Sequence, residues 1–204
     1  MKLSNKFTFI RLIFAPIFFF IYNIPLWTGN ELLAKISAWV MIPLLALAQF
    51  TDYLDGHYAR KMGEVSDFGK LFDPFADVML NLTLFLCAQS SINSDLHYMP
   101  LVLFILILYR EFGMNFIRMV AVSHGTAIAA RKGGKFKTVF YITSGFYFLA
   151  IESALRLGFA EALAPCMSVL KIIALVMFVI CVILSYASFI DYIKTFSKVL
   201  KEKN

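Results

Sequence analysis

The sequence is poor in charged residues and in cysteine. Charged side chains make up 16% of the 204 residues, against about a quarter in an average soluble protein. No polar stretch is long enough to hold a separate soluble module. Cys87, Cys166 and Cys181 form no CxxC motif and no disulfide framework, and we expect them to be small core residues. These shortages exclude an ordinary soluble enzyme and a disulfide-rich secreted domain.

Hydrophobic residues, by contrast, make up 60% of the chain and are concentrated in long runs. Six runs approach the roughly 20 apolar residues that a helix needs to cross a bilayer. We therefore predict an all-α polytopic membrane protein with six transmembrane helices, in a single domain over residues 1–204. The predicted spans are residues 8–27, 32–52, 72–90, 99–122, 139–157 and 167–190.

The net charge of +6 is not taken as a sign of nucleic-acid binding, because the basic residues lie between the apolar runs. Most of them lie at the N-terminus, in the second link (between the second and third spans), in the fourth link (between the fourth and fifth spans) and after the last span. Lysine and arginine mark the cytoplasmic side of a membrane protein, and an even number of spans leaves both termini on that side. We predict cytoplasmic termini, contact with anionic membrane lipid and no nucleic-acid partner.

Four aspartates flank the second link at helical spacing. Asp52 and Asp55 are three residues apart at the end of the second predicted span, and Asp73 and Asp77 are four apart at the start of the third. On a helix these offsets separate side chains by about 60° and 40°, so each pair shares a face. A short link would bring the two faces together in an antiparallel helix pair.

Such a carboxylate cluster needs compensating positive charge, because ionised groups in a membrane are costly and like charges repel. Hard divalent cations prefer oxygen ligands. Two ions that share bridging carboxylates suit phosphoryl chemistry. The pattern therefore predicts a divalent-metal site at the cytoplasmic edge of the bilayer.

Individual residues of this segment also have ordinary structural explanations. Asp73 before Pro74 is typical of a helix N-cap, Gly56 could end a helix and Arg60 could be a topology charge only. All four aspartates together favour the metal site. A divalent-ion transporter is the alternative from another class of protein, since intramembrane carboxylates also mark ion paths. Clustering at one membrane edge, instead of along a path, favours the enzyme.

The segment from residue 52 to residue 77 resembles the signature of the CDP-alcohol phosphotransferase family, D-x2-D-G-x2-A-R-x8-G-x3-D-x3-D. The eight positions that match this signature are Asp52, Asp55, Gly56, Ala59, Arg60, Gly69, Asp73 and Asp77. The resemblance implies transfer of a phosphatidyl or related group from a CDP-linked donor to an alcohol, with release of CMP. It also implies Mg²⁺ or Mn²⁺, two ions per site, and a homodimer.

The same resemblance implies roles for individual residues. Asp52, Asp55 and Asp73 would hold metal, while Asp77 would contact the second metal and act as the catalytic general base. The active site would face the cytoplasm in the cell (inner) membrane. The expected nucleotide-binding residues are Asp55, Gly56, Ala59, Arg60, Ser66 and Gly69.

Further segments resemble the branch of the family that uses CDP-diacylglycerol as donor and glycerol-3-phosphate as acceptor. The N-terminal segment from Asn5 to Arg11 is similar to the N-x2-T-x2-R start of that branch, and residues 67–74 resemble its D-F-G-K-x2-D-P. Residues 110–111 and 134–138 resemble its R-E and G-K-x-K-T elements. Val78 departs from the branch, which has lysine there. Serine, inositol phosphate or phosphatidylglycerol therefore remain alternative acceptors for the same chemistry.

Basic residues independently favour an anionic acceptor. Arg110 and Arg118 lie eight residues apart on one face of the fourth predicted span, where arginine is costly without a partner. With Lys135 from the next link they are predicted to bind the acceptor phosphate, together with Thr8 and Arg11 from the N-terminal motif. The alternative is that Arg110 pairs internally, with the neighbouring glutamate or an aspartate, and that Arg118 extends to the membrane interface.

Overall fold

The computed structural model describes residues 3–62, 67–94, 96–123 and 132–203, with side chains for residues 8–51, 72–94, 96–122, 134–195 and 197. Over these residues the secondary structure is helical, without strands, which confirms the all-α prediction. The long helices are α1 (Leu3–Thr28), α2 (Glu31–Met62), α3 (Asp67–Cys87), α4 (Leu101–Ser123), α5 (Lys132–Arg156) and α7 (Met167–Lys203). A short helix α6 (Ala160–Leu163) and a 3-10 turn (Ala164–Cys166) connect α5 to α7.

Each predicted span falls largely within one of the long helices. In the described part of the chain, four segments are long and apolar enough to cross a membrane: Thr8–Thr28, Glu31–Thr51, Gly134–Arg156 and Ala160–Thr195. Helix α4 is continuous, but charged side chains near its middle interrupt its apolar sequence. The chain thus has the helices of a multi-pass membrane protein, and the count of six spans stays a prediction.

Several helices extend beyond the apolar runs. Helix α2 continues through the polar segment to Met62, and α3 begins at Asp67. The N-cap explanation for Asp73 is therefore wrong, because this residue and Pro74 lie inside α3. Gly56 does not end α2 either. The aspartates consequently stand on continuous helices and not at frayed helix ends.

Helix α1 packs against both α2 and α3. Its inner face is a buried stripe at spacings of three and four residues, formed by Thr8, Arg11, Ala15, Phe18 and Tyr22. Thr8 contacts Asp73 near the start of α3. The Tyr22 hydroxyl donates to the carbonyl of Ser90, 2.6 Å away, just beyond the end of α3. The two helices therefore run parallel, and the N-terminal turns of α1 lie beside the second and third turns of α3.

Aromatic rings and one glycine hold α3, α5 and α7 together. The Phe85 ring meets the rings of Tyr141 and Phe178 edge to face, with centroids 4.9 and 5.3 Å away. At Gly145 of α5, an added Cβ would lie 2.3 Å from Leu84 Cδ2. A larger residue at this position would therefore displace the Leu84 side chain, which shows how closely α3 and α5 approach each other.

The core prediction for the cysteines is confirmed in part. Cys87 and Cys181 are buried, whereas Cys166 is exposed. Cys166 lies in the 3-10 turn before α7, and no residue of that turn is buried. The core prediction for Cys166 is therefore wrong: an apolar neighbourhood in sequence did not place this residue inside the bundle.

A buried ion pair near the end of α5 joins the helices far from the aspartates. Glu152 and Arg156 are one turn apart, with fully buried side chains and 2.8 Å between Oε1 and Nε. Glu152 also accepts hydrogen bonds from the Ser91 hydroxyl (2.6 Å) and the Tyr98 hydroxyl (2.9 Å). Burial raises the pKa of Tyr98, and the Glu152 carboxylate adds to this effect, so the phenol stays a donor. Arg156 donates to the Ser37 hydroxyl at 2.7 Å, which ties α5 to α2.

Candidate active site

A pocket of about 250 Å³ is lined by residues of α3, α4, α5 and α7. Among the described side chains it collects three acidic groups, Asp73, Asp77 and Glu111, and four basic groups. The basic groups are Arg110, Arg118, Lys135 and Lys137. A pocket with two aspartates on α3 and four cations on α4 and α5 can hold a phosphate-bearing ligand next to a general base.

Asp73 and Asp77 stand one turn apart on α3, and both line the pocket. The Thr8 hydroxyl donates a hydrogen bond to Asp73, and the Arg11 guanidinium forms an ion pair with Asp77. The Asp77 side chain is 40% exposed, while that of Arg11 is 1% exposed. Arg11 therefore supports the carboxylate from inside the protein, while the carboxylate faces the pocket.

Thr8 and Arg11 were predicted to bind the acceptor. Both are buried, and neither is among the described residues that line the pocket. Thr8 contacts Asp73, and Arg11 contacts Asp77. Their contact with the acceptor stays a prediction, and holding the aspartates is the role that their geometry supports.

The other predicted acceptor residues come together as expected. Arg110 and Arg118 from α4 and Lys135 from α5 line the same pocket as the aspartates. The alternative prediction for Arg110 is confirmed as well, since its Nη1 donates to Glu111 Oε2 at 2.9 Å. Its Nε donates to the Ser185 carbonyl of α7, also at 2.9 Å. Arg110 thus has internal partners and a place on the pocket wall at the same time.

Sequence reasoning missed Lys137, Tyr141 and Tyr192, and it gave Glu111 no place in the site. Residues 134–138 were predicted to lie in a link, but α5 begins at Lys132. On that helix Lys137 and Tyr141 are four residues apart and share a face. Recognising the earlier helix start would have placed both at the pocket.

The remaining predicted site residues fall where side chains are not described. No group of three or more histidine, cysteine, aspartate or glutamate side chains that could hold a metal occurs among the side chains described. The visible part of the predicted metal centre is therefore the Asp73–Asp77 pair. Outside the described side chains lie Asp52, Asp55, Gly56, Ala59 and Arg60 of α2 and Gly69 of α3, and Ser66 lies outside the described residues.

Residues 1–184 match the CDP-alcohol phosphatidyltransferase family. The chain belongs to this family. Among similar proteins, the CDP-diacylglycerol–glycerol-3-phosphate 3-phosphatidyltransferase of Treponema pallidum is 38% identical over 205 aligned positions, covering 98% of this chain and 92% of the relative. The protein of the same name from Bacillus subtilis is 34% identical over 142 positions, covering 67% of this chain and 70% of the relative.

Membership in the CDP-alcohol phosphatidyltransferase family confirms the resemblance drawn from the aspartate signature. The chain is an enzyme, a CDP-alcohol phosphotransferase. The family match begins at residue 1 and ends at residue 184, so it includes the aspartate segment and the pocket residues on α3, α4 and α5. Family membership therefore favours the enzyme over the divalent-ion transporter.

Proposed function

We propose that this phosphotransferase moves the phosphatidyl group of CDP-diacylglycerol to glycerol-3-phosphate, forming phosphatidylglycerophosphate and CMP in phospholipid biosynthesis. The observation that carries the proposal is the pocket in which Asp73 and Asp77 face Arg110, Arg118 and Lys135. Two relatives that align with two thirds or more of the chain bear the name of this activity.

The charges of the pocket support an acceptor that carries a phosphate. A single carboxylate, Glu111, pairs with both Arg110 and Lys137, so it offsets only one of the four cations on the α4 and α5 side and leaves an excess of positive charge there. An uncharged alcohol would leave these cations without a matching anion, and serine would bring no net negative charge, because its ammonium offsets its carboxylate.

The residues of the chain supply proton transfer and orientation. Asp77 would accept the proton of the acceptor hydroxyl as general base. The resulting oxygen would attack the phosphatidyl phosphorus, the bond to the CMP oxygen would break and CMP would leave. Arg11 forms an ion pair with Asp77 and Thr8 donates a hydrogen bond to Asp73, so these two residues would hold the carboxylates in place. Arg118 and Lys135 would hold the acceptor phosphate so that its hydroxyl lies near Asp77.

Divalent metal is part of the proposal. Asp73 and Asp77 fit such a group, because they present two hard oxygen donors from adjacent turns to one polar pocket. Asp52, Asp55, Asp73 and Asp77 would hold Mg²⁺ or Mn²⁺, two ions per site. When bound, such cations neutralise charge on the donor phosphates during phosphoryl transfer.

The nucleotide site, the assembly and the location are proposed on the basis of the family. The active site would face the cytoplasm from the cell membrane, in a homodimer whose protomer is a single domain over residues 1–204. The nucleotide of the donor would bind Asp55, Gly56, Ala59, Arg60, Ser66 and Gly69.

The test uses purified protein in detergent with CDP-diacylglycerol, Mg²⁺ and a panel of acceptors. We expect CMP release with glycerol-3-phosphate, and phosphatidylglycerophosphate as the lipid product by mass spectrometry. Serine, inositol phosphate and phosphatidylglycerol serve as matched comparisons in the same detergent preparation. CMP release with one of these and not with glycerol-3-phosphate would overturn the acceptor and leave the phosphotransferase assignment intact.

A further inference from the structure

Glu111 is the centre of a buried polar cluster on the pocket wall. It is 2% exposed and receives three donors. Its Oε2 accepts from Arg110 Nη1 at 2.9 Å, while Oε1 accepts from Lys137 Nζ at 2.8 Å and from the Tyr141 hydroxyl at 2.9 Å. Two of these donors are cations that also line the pocket. The carboxylate is therefore placed to control where those cations point.

Arg110 is held in one orientation by two bonds on different edges of its guanidinium. Nε donates to the Ser185 carbonyl of α7, and Nη1 donates to Glu111. A planar fork with two of its nitrogens bound cannot rotate. Within the described contacts Nη2 has no hydrogen bond, and Arg110 borders the pocket. This nitrogen is the part of the fork that remains to meet a ligand anion.

Lys137 also has donors that can bind a ligand anion. Its flexible side chain has a single compact charge with three protons to donate. Lys137 Nζ donates one hydrogen bond to Glu111 Oε1, and the ammonium also lies 4.7 Å from the centre of the Tyr141 ring. The side chain is 14% exposed, so the ammonium sits at the pocket surface without extending into solvent.

The cluster also links two helices whose packing partners differ. Helix α4 packs against α3 and α7, whereas α5 packs against α2, α3 and α7. Glu111 belongs to α4, and Lys137 and Tyr141 belong to α5. The bonds from α5 to Glu111 therefore set the spacing between the cations of α4 and the cations of α5.

We infer that Glu111 is a positioning residue, which fixes Arg110 and Lys137 so that both bind the phosphate of the acceptor. Lys137 is thereby a further phosphate-binding residue. The inference rests on the proposed acceptor and adds to it the groups that grip its phosphate. The Glu111 carboxylate acts on the ligand through the two cations and not by direct contact.

Two competing accounts of Glu111 predict different results for Glu111→Gln. If the carboxylate only weakens the pocket's positive charge, its removal should lower the KM for glycerol-3-phosphate. If it is only a buried structural group, its removal should lower stability and weaken both substrates alike. If it positions the cations, the KM for the acceptor alone should rise, because two donors lose their geometry.

The matched control is Glu152→Gln. Glu152 is also a fully buried glutamate paired with an arginine, but it lies at the other end of α5. From residue 137 to residue 152 that distance is about 22 Å at 1.5 Å per residue. This control reproduces the loss of a buried carboxylate without touching the pocket.

The experiment measures initial rates of CMP release by the full-length protein in detergent, varying each substrate in turn. We expect Glu111→Gln to raise the KM for glycerol-3-phosphate roughly tenfold or more, since two charge-assisted contacts are disturbed, with the KM for CDP-diacylglycerol nearly unchanged. Glu152→Gln should lower the thermal midpoint without changing the ratio of the two KM values. Tyr141→Phe, which removes one donor and no charge, should raise the acceptor KM about two- to threefold and tests the inference if Glu111→Gln does not fold.

Wild-type protein in the same assay distinguishes failure of the positioning role of Glu111 from failure of the proposed acceptor. Wild-type turnover with glycerol-3-phosphate, together with an unchanged or lowered acceptor KM in the variant that folds, would overturn the positioning role alone. A wild-type protein that does not use glycerol-3-phosphate would overturn the proposed acceptor, and the inference with it.

Discussion

Arg118 gives the cleanest test of acceptor recognition. It lines the pocket from a half-buried position on α4. Arg110 is a poorer choice, because it also bonds to Ser185 of α7 and to Glu111, so its removal would disturb helix packing. Lys135 is exposed, and solvent would screen much of its contribution. Arg118 also has a side-chain hydrogen bond with Tyr192 of α7, one described partner against the two of Arg110, so loss of Arg118 should report more on the ligand than loss of Arg110.

The size of the effect follows from the kind of contact. A hydrogen bond to a charged group contributes about 1.5–3 kcal/mol, which corresponds to roughly 10- to 150-fold in kcat/KM. Because Arg118 is only half-buried, we expect Arg118→Met to lie in the lower part of this range, about 10- to 30-fold. Arg118→Lys should recover only part of the loss, since a single ammonium cannot replace a planar fork.

The assay is CMP release with glycerol-3-phosphate varied at saturating CDP-diacylglycerol, and then the reverse. The loss should fall on the acceptor, with the KM for the donor and the thermal midpoint close to wild type. If Arg118→Met instead lowers the thermal midpoint and weakens both substrates equally, Arg118 is structural and the reasoning about the phosphate pocket is refuted.

Three further predictions concern the metal, the orientation and the buried ion pair. Chelation should abolish turnover and Mg²⁺ or Mn²⁺ should restore it, with a higher metal requirement in Asp52→Asn and Asp55→Asn because an amide carries no charge; full activity in chelator would contradict this. Single cysteines in residues 123–138 should react with a membrane-impermeant reagent only from the cytoplasmic side, and those in residues 91–97 only from outside; the opposite pattern would reverse the topology. Glu152→Gln should lower the free energy of unfolding by about 3–5 kcal/mol, since it leaves a buried arginine uncompensated, and an unchanged thermal midpoint would show that the pair is not needed.

Much of the fold was predictable because hydropathy identifies membrane helices reliably. The ends of those helices were not predictable in the same way. Apolar runs mark the bilayer core, whereas α2 and α7 continue through polar residues to Met62 and Lys203, where backbone hydrogen bonding and not hydrophobicity decides. The same limit placed Lys137 in a link and hid its position on the pocket wall.

The candidate site was predictable to the extent that it depends on local spacing. Offsets of four and eight residues correctly placed Asp73 with Asp77 and Arg110 with Arg118 on shared faces. Contacts between helices far apart in sequence leave no such pattern. The pairing of Arg11 with Asp77 spans 66 positions, and it depends on α1 packing against α3, because hydropathy predicts the direction of each span but not which spans are neighbours.

The most direct test of the account compares wild type with Asp77→Asn under saturating CDP-diacylglycerol and glycerol-3-phosphate in Mg²⁺. Asp77 is the pocket carboxylate that Arg11 supports from behind, and it is assigned the proton of the acceptor hydroxyl. The measurement is the rate of CMP release, with CDP-diacylglycerol binding followed separately. The account predicts that Asp77→Asn loses turnover far more completely than it loses donor binding. Turnover at the wild-type rate in Asp77→Asn would contradict it and remove this carboxylate from the mechanism.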